Sequence, residues 1–275
     1  MKKRLLCPHL PKSGTPALLS ENEAHHAIRV LRLRDGETVE AIDGKGNKSF
    51  VTLRIRGGSP RLEYKEMDES LGRTRDTGSI LPIVLEMAVL KGDAMEWVVE
   101  KAVELGVQEL VPVLTEYTVV QMKSKGPDSF RERWQKISDQ ALKQCGRLTR
   151  MEVKIPIALK ELLTQSAQSL ASDKKQKMIR LWCDETGQLE APYLMDWLNH
   201  HFNSLSPEEY PQVRILVGPE GGWSASEREI LLNETASSPI YRIDLGARVL
   251  RAETAAIFGM SVVTAHLSQT NTQLS

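Results

Sequence analysis

The pattern of apolar and polar positions changes character near residue 80. Before that point the apolar residues form short alternating runs. Residues 37–42 and 49–55 read as strands, joined by Asp43-Gly-Lys-Gly-Asn47, a turn whose glycines supply positive φ. Ser20-Glu-Asn-Glu23 has capping-box spacing, with Ser20 as N-cap and Glu23 at N3. It opens a short helix through His25, His26, Ile28 and Leu31. Arg29, Arg32 and Arg34 then alternate with Val30, Leu31 and Leu33, a pattern that an ordinary strand also shows. These signals predict a small β-rich domain over residues 1–72, with 68–79 as a polar, glycine-containing linker.

Beyond residue 80 short apolar runs alternate with helical periodicity. The spacing predicts strands at 80–88, 110–114, 178–183, 213–217 and 241–245, each bounded by turn or polar residues, as buried parallel strands are. Pro112 marks the second of these as a weaker or an edge strand. Asp93 is placed to cap a helix over 93–104, with Gly106 just past its end. A longer helix starts near Asp128 with the stripe Phe130, Trp134, Ile137, Ala141 and Cys145, and Gly146 closes it. Further helices are predicted at 159–169, 192–202, 226–233 and 252–266. Alternation of this kind implies an α/β domain with a parallel sheet over 73–275.

Composition narrows the class without naming it. An apolar fraction of 41% and a charged fraction of 26% are ordinary for a soluble globular chain. No apolar run reaches the length of a membrane span, and the basic start Met1-Lys-Lys-Arg lacks the apolar stretch of a signal peptide. Cys7, Cys145 and Cys183 are too scattered for a disulfide framework or a CxxC metal pattern, so no metal and a cytoplasmic location are expected. The net charge of zero argues against a generic polyanion binder. Its distribution is uneven: residues 1–60 hold 11 Lys/Arg against 6 Asp/Glu, and residues 123–147 hold 7 against 3. Such excesses occur on solvated faces by chance, and they also suit contact with a phosphate backbone.

Two segments carry candidate chemistry. In Ile215-Leu-Val-Gly-Pro-Glu-Gly-Gly-Trp-Ser-Ala-Ser-Glu-Arg-Glu229 a buried strand enters a glycine-rich loop and then a helix, whose Ser224 and Glu227 form a second capping box. Glycines after a strand let a ligand approach the backbone, and ligands of open α/β sheets bind beyond the carboxyl ends of strands. The loop is neither G-x-G-x-x-G nor a P-loop, and its Glu220 discourages phosphate. It favours a polar or cationic cofactor such as S-adenosylmethionine over ATP or NAD, although such loops also occur as plain turns. In Ile243-Asp-Leu-Gly-Ala-Arg-Val-Leu-Arg-Ala-Glu-Thr-Ala-Ala256 a second strand-loop-helix unit crowds Arg248, Arg251, Glu253 and Thr254 together. A helix N-terminus disfavours Arg251, so that residue lies on the loop or meets an anion. Trp223 packs against the cofactor loop or acts as a hydrophobic staple for its helix, the staple being preferred. His25 and His26 are adjacent on a helix and point apart, which makes them poor joint ligands.

These segments resemble the motifs of the 16S ribosomal RNA uridine N3-methyltransferase family, within the SPOUT class of knotted methyltransferases. The resemblance extends over His25-His-Ala-Ile-Arg-Val-Leu-Arg-Leu-Arg34, Ile42-Asp-Gly-Lys-Gly46, Lys91-Gly-Asp-Ala-Met-Glu-Trp97, Glu100-Lys-Ala-Val-Glu-Leu-Gly106, Arg133-Trp-Gln-Lys-Ile137 and Gln144-Cys-Gly-Arg147. It covers nearly the whole chain, apart from the polar stretch 165–177 and the tail 268–275. It implies a PUA-like β-barrel that holds RNA, then a SPOUT domain with a C-terminal trefoil knot. It also implies a homodimer, the 16S RNA of the small ribosomal subunit as partner, and no membrane. S-adenosylmethionine would sit in the knot on Leu216, Gly218, Pro219, Glu220, Gly221 and Gly222, and on Leu245, Gly246, Val249, Leu250 and Thr254. Arg251 would stabilise charge on the uridine, or else form an ion pair with Glu220 or Glu253. Glu253 is the first candidate proton acceptor and Glu220 the second, with loss of the proton to water as a further route. Arg29, Arg32, Arg34 and Arg147 are the RNA-contact candidates. Other classes compatible with the pattern are a non-catalytic RNA-binding module, a nucleotide-dependent oxidoreductase, and a methyltransferase acting on transfer RNA.

Overall fold

A computed structural model of the protein describes residues 3–56, 59–64, 82–120, 126–172, 177–185, 191–233 and 239–272. The chain divides into two compact units, Met1–Gly78 with Asp139–Arg150, and Ser79–Ser138 with Met151–Ser275. The expected linker at 68–79 lies outside the described residues.

The first unit is built on strands β1 (Arg4–Leu6), β2 (Ala17–Leu18), β3 (Thr38–Ile42), β4 (Lys48–Arg56) and β5 (Ser59–Tyr64). Their order is β1-β3-β4-β5-β2, with β1 parallel to β3 and the other neighbours antiparallel. Along β4 every second residue (Ser49, Val51, Leu53) is buried, the period of a half-buried strand. Leu5, Ala27, Leu33, Val39, Val51, Leu53 and Leu62 form its core.

Between β2 and β3 the helix expected through His25, His26 and Ile28 is present, and the strand that the alternation at 29–34 also suited is not. Helix α1 (Glu21–His25) runs directly into a π-helical turn, His26–Val30, and no strand follows. The Leu31 amide bonds the His26 carbonyl at 2.9 Å and the Leu33 amide bonds that of Ala27 at 3.0 Å, so the chain stays wound. Arg32 takes a positive φ of 50°. The alternation at 29–34 therefore reflects buried Leu33 between exposed Arg32 and Arg34 on irregular chain. The capping box at Ser20 is half formed. Glu23 N–H donates to Ser20 Oγ at 3.3 Å, but the Glu23 carboxylate turns inward to the Leu6 amide and Lys143 Nζ, both at 2.9 Å. Residues 139–150 belong with this unit because of such links. Arg4 Nη1 donates to the Lys143 carbonyl at 3.3 Å, and the Arg150 amide donates to that of Gly44 at 2.8 Å.

The second unit is a sheet of β6 (Ile83–Ala88), β7 (Glu109–Leu114), β8 (Glu152–Val153), β9 (Ile157–Ala158), β10 (Met178–Cys183), β11 (Gln212–Val217) and β12 (Ile240–Ile243). The order is β12-β10-β11-β6-β7-β8, with β9 also on β7, and every ladder is parallel. The helices are α2 (Asp93–Glu104), α3 (Gly126–Cys145, of which the residues from Asp139 on group with the first unit), α4 (Leu159–Ser172), α5 (Leu194–Phe202), α6 (Ala225–Asn233) and α7 (Ala252–Thr272). On one face of the sheet Val84, Val113, Trp182, Leu216 and Ile240 pack with Leu159, Leu162 and Leu163 of α4 and Leu231 of α6. On the other, α7 packs on β6 and β11 and against α2 and α5. The strands are largely apolar on both faces because both are covered, Glu86, Arg180 and Arg214 apart.

Several sequence expectations shift. Pro112 is inside the sheet, between β6 and the β8/β9 side. Its missing donor faces the side where β8 has ended and β9 has not begun, so no ladder bond is lost. Asp93 is the first helical residue of α2, with Gly92 as N-cap. In α3, Trp134, Ser138, Ala141 and Leu142 are buried, whereas Cys145 is exposed at the helix end. Among the described residues no helix is long and apolar enough to cross a membrane.

Candidate active site

The carboxyl ends of β10, β11 and β12 open into a cavity of about 880 Å³, lying wholly within the second unit. This size falls in the range of roughly 300–1,000 Å³ that suits a cofactor. Three loops wall it. Asp184, Glu185 and Ala191 follow Cys183, the last residue of β10; Gly218, Pro219, Glu220 and Gly222 come from after β11; and the run Asp244 to Arg251 follows β12 and continues into Ala252 and Glu253 of α7. Ala94 of α2 and Ala255 of α7 complete it. Small side chains leave the volume open, while Asp184, Glu185, Glu220, Asp244 and Glu253 against Arg248 and Arg251 make the lining predominantly acidic. Such a lining repels phosphate and suits an organic ligand with cationic and hydroxyl groups.

The local sequence explains the shape of the β11 loop. At Gly218 a Cβ would lie 2.9 Å from the Trp223 ring. Gly222 has φ of 72°, and its Cβ would overlap Glu185 Oε1. Trp223 is buried beneath Gly218, donates Nε1–H to the Cys183 carbonyl at 3.2 Å and meets Trp182 edge-on. It therefore supports the loop from below and does not staple the helix: four residues into α6 stands Arg228, whose Nε donates to the Trp223 carbonyl at 3.3 Å. The second capping box is complete. The Ser224 amide donates to Glu227 Oε2 at 3.0 Å, and the Glu227 amide to Ser224 Oγ at 3.2 Å. Glu227 also accepts the Glu116 amide at 2.8 Å.

The structure brings most of the sequence candidates together. Gly218, Pro219, Glu220, Gly222, Leu245, Gly246, Val249, Leu250, Arg251 and Glu253 all line the cavity. Leu216, Gly221 and Thr254 do not. Leu216 is fully buried in the sheet core. Gly221 faces Tyr117, whose Cβ would lie 3.0 Å from an added Cβ. Thr254 is on the exposed side of α7. Arg251 is exposed at the mouth, just ahead of α7, and no ion pair within 4.0 Å joins it to Glu220 or Glu253. Glu220 Oε1 accepts the Lys91 amide at 3.3 Å. Arg29, Arg32 and Arg34 lie exposed on the first unit, and Arg147, half-buried, belongs to that unit too.

Sequence reasoning missed the β10 wall. Asp184 and Glu185 follow a strand as the other two loops do, with Gly187 two residues on. The rule that ligands sit beyond strand carboxyl ends was the available signal. Cys183 also lines the cavity. Burial pushes its thiol up to about 12, with the Asp184 charge adding to the shift, so it stays protonated and unreactive.

Residues 78–264 match the family described as the RNA methyltransferase domain. The chain belongs to that family. Residues 19–52 match the RNA methyltransferase PUA domain. The methyltransferase is 28% identical to the ribosomal RNA small subunit methyltransferase E of Synechocystis sp., over 90% of this chain and 73% of that protein. It is 27% identical to the protein of the same name from Rickettsia conorii, over 92% and 91%. A methyltransferase from Legionella pneumophila, solved with its bound cofactor SAM, is 26% identical with a TM-score of 0.75, covering 96% of this chain and 98% of the other.

Proposed function

We propose that this methyltransferase uses S-adenosylmethionine to methylate N3 of a uridine in the 16S RNA of the small ribosomal subunit. The observation that carries the reading is the acidic cavity at the ends of β10–β12, with Arg251 and Glu253 on its wall, inside the segment that matches the family. The relatives' names point to small-subunit RNA. The motif resemblance points to uridine N3.

The loops at 218–222 and 245–250 would hold the cofactor, the first of them set against Glu185. S-adenosylmethionine supplies an electrophilic methyl group on a sulfonium. N3 is an imide nitrogen that carries a proton, and it lies on the Watson–Crick edge. The base must therefore be unpaired, and the proton must leave before or during transfer. Glu253 on the first turn of α7 is the acceptor we favour, with Glu220 second. Glu220 Oε1 is already engaged by the Lys91 amide. The exposed guanidinium of Arg251 would donate to the uridine oxygens as negative charge develops.

The finer architecture belongs to the same proposal. The first unit is read as a PUA-like barrel over residues 1–72, presenting Arg29, Arg32 and Arg34 to RNA with Arg147, and residues 73–275 as the catalytic domain. The C-terminal segment is read as a trefoil knot. Its return from edge strand β12 past the β10 and β11 loops to α7, which packs on β6 and β11, supports that path. Val249, 78% exposed on the cavity loop, supports a homodimer that covers it.

The deciding experiment is transfer of labelled methyl from S-adenosylmethionine to small subunits lacking the modification, followed by mass spectrometry of the digested RNA. A single 3-methyluridine is expected. Cofactor binding without product on that RNA would overturn the assigned target.

A further inference from the structure

Two loops of the cavity wall are tied together by a side chain that does not line the cavity. Arg228, in α6, directs all three guanidinium nitrogens at them. Nη1 donates to Asp184 Oδ1 and Nη2 to Glu185 Oε1, both in close ion pairs. Nε donates to the Trp223 carbonyl at 3.3 Å. The Trp223 amide in turn donates to the same Glu185 oxygen at 3.3 Å. The end of β10 and the 218–223 loop are thus held by one planar fork.

The charges explain why a fork is needed. Asp184 and Glu185 are adjacent carboxylates on the cavity wall, and the Asp184 side chain is only 3% exposed. Two like charges so close repel each other, and a buried carboxylate is costly without a compensating cation. A guanidinium meets both and a carbonyl at once; an ammonium on a flexible stem does not hold that geometry. The start of α6 does not depend on Arg228, because Ser224, Glu227 and the Glu116 amide fix it separately.

On the reading of this cavity as the S-adenosylmethionine site, we propose that Arg228 is a positioning residue for cofactor binding. It sets the distance between the Asp184–Glu185 wall and the glycine-rich loop. Without it the two carboxylates spread apart, Glu185 turns to water, and the loop loses its anchor on β10.

The test is calorimetric titration of full-length protein with S-adenosylmethionine. The proteins are wild type, Arg228→Met, Arg228→Lys, Glu185→Gln and the double variant Arg228→Met/Glu185→Gln. Arg228→Met is expected to weaken binding by about tenfold, with Lys restoring only part of it. The double variant is expected to bind about as weakly as Arg228→Met alone, because both substitutions break the same clamp. In turnover, KM for the cofactor rises while kcat is nearly kept, since Arg251 and Glu253 stand on another loop. Wild-type affinity in Arg228→Met, full rescue by Lys, or strictly additive effects would each overturn the clamp alone. A wild-type protein that does not bind S-adenosylmethionine would overturn the cofactor reading beneath it.

Discussion

Arg251 and Gly222 show how single residues divide the work of the site. Arg251 is exposed at the cavity mouth with neither Glu220 nor Glu253 as an ion-pair partner, so its guanidinium is available to a substrate. Arg251→Ala is expected to leave cofactor affinity within about twofold and to lower kcat by about 10²–10³, the usual cost of a lost charge-stabilising donor. Calorimetry beside single-turnover kinetics checks this, and a loss of cofactor affinity equal to the loss of rate would place Arg251 on the cofactor instead. Gly222 is a backbone requirement. Its φ of 72° and the crowding by Glu185 leave no room for a side chain. Gly222→Ala should therefore weaken cofactor binding more than Gly221→Ala, whose new methyl would press on Tyr117 outside the cavity. Equal effects in a titration of both variants would show that the loop yields as a whole. Gly222 was legible in the sequence because a positive φ needs a glycine. Asp184 and Glu185 were not, because a carboxylate that meets its arginine 44 and 43 residues later leaves no local mark.

The elements of the second unit were legible in proportion to their burial. Strand β10 was placed to the residue, since an apolar run covered on both faces has sharp polar ends. The two-residue strands β8 and β9 were invisible, being too short for any period. In the first unit the helix running toward Leu31 was legible, but the π-helical pitch of His26–Val30 was not. Within the sheet itself sits an ionic cluster that no local pattern announces. Glu86 of β6 accepts Arg180 Nε of β10 at 2.5 Å and Arg214 Nη1 of β11 at 2.8 Å, and Arg180 also bonds Ser166 of α4 at 2.9 Å. Burial pushes the Glu86 carboxyl up, but the charges and hydrogen bonds of Arg180 and Arg214 outweigh it and hold it below the ordinary 4.5. A depressed carboxyl contributes stability that is complete above the unfolded-state value and is lost as pH falls through the folded one. Glu86→Gln, which leaves Arg180 buried without a counter-charge, is expected to cost about 3 kcal/mol at neutral pH. The deficit should shrink below pH 4.5 as wild type loses its own ion pair. Urea denaturation across pH 3–7 measures both, and a deficit independent of pH would remove the ionic cluster as its cause.

At the scale of the whole molecule, the two compact units do not follow the chain as two continuous stretches. Residues 139–150 group with the first unit, through Lys143 on Glu23, Arg4 on the Lys143 carbonyl and the Arg150 amide on the Gly44 carbonyl. Truncating the first 72 residues would strip those partners from the end of α3, and the Gly46 amide from the carbonyl of buried Leu148, confounding lost RNA contact with lost folding. A surface substitution separates the two. Arg29, Arg32 and Arg34 are exposed, and none sits in the core of the first unit. The triple substitution Arg29→Gln, Arg32→Gln, Arg34→Gln should leave the melting temperature and the affinity for S-adenosylmethionine unchanged. Affinity for small subunits should fall. Its dependence on salt should flatten, because each phosphate contact removed lowers the slope of log K against log salt by about 0.7–0.9. A filter-binding series over several salt concentrations gives that slope directly. Weaker binding with an unchanged slope would mean that the arginines support the shape of the turn and not the phosphates. An unchanged affinity would move the RNA surface to another face of the protein.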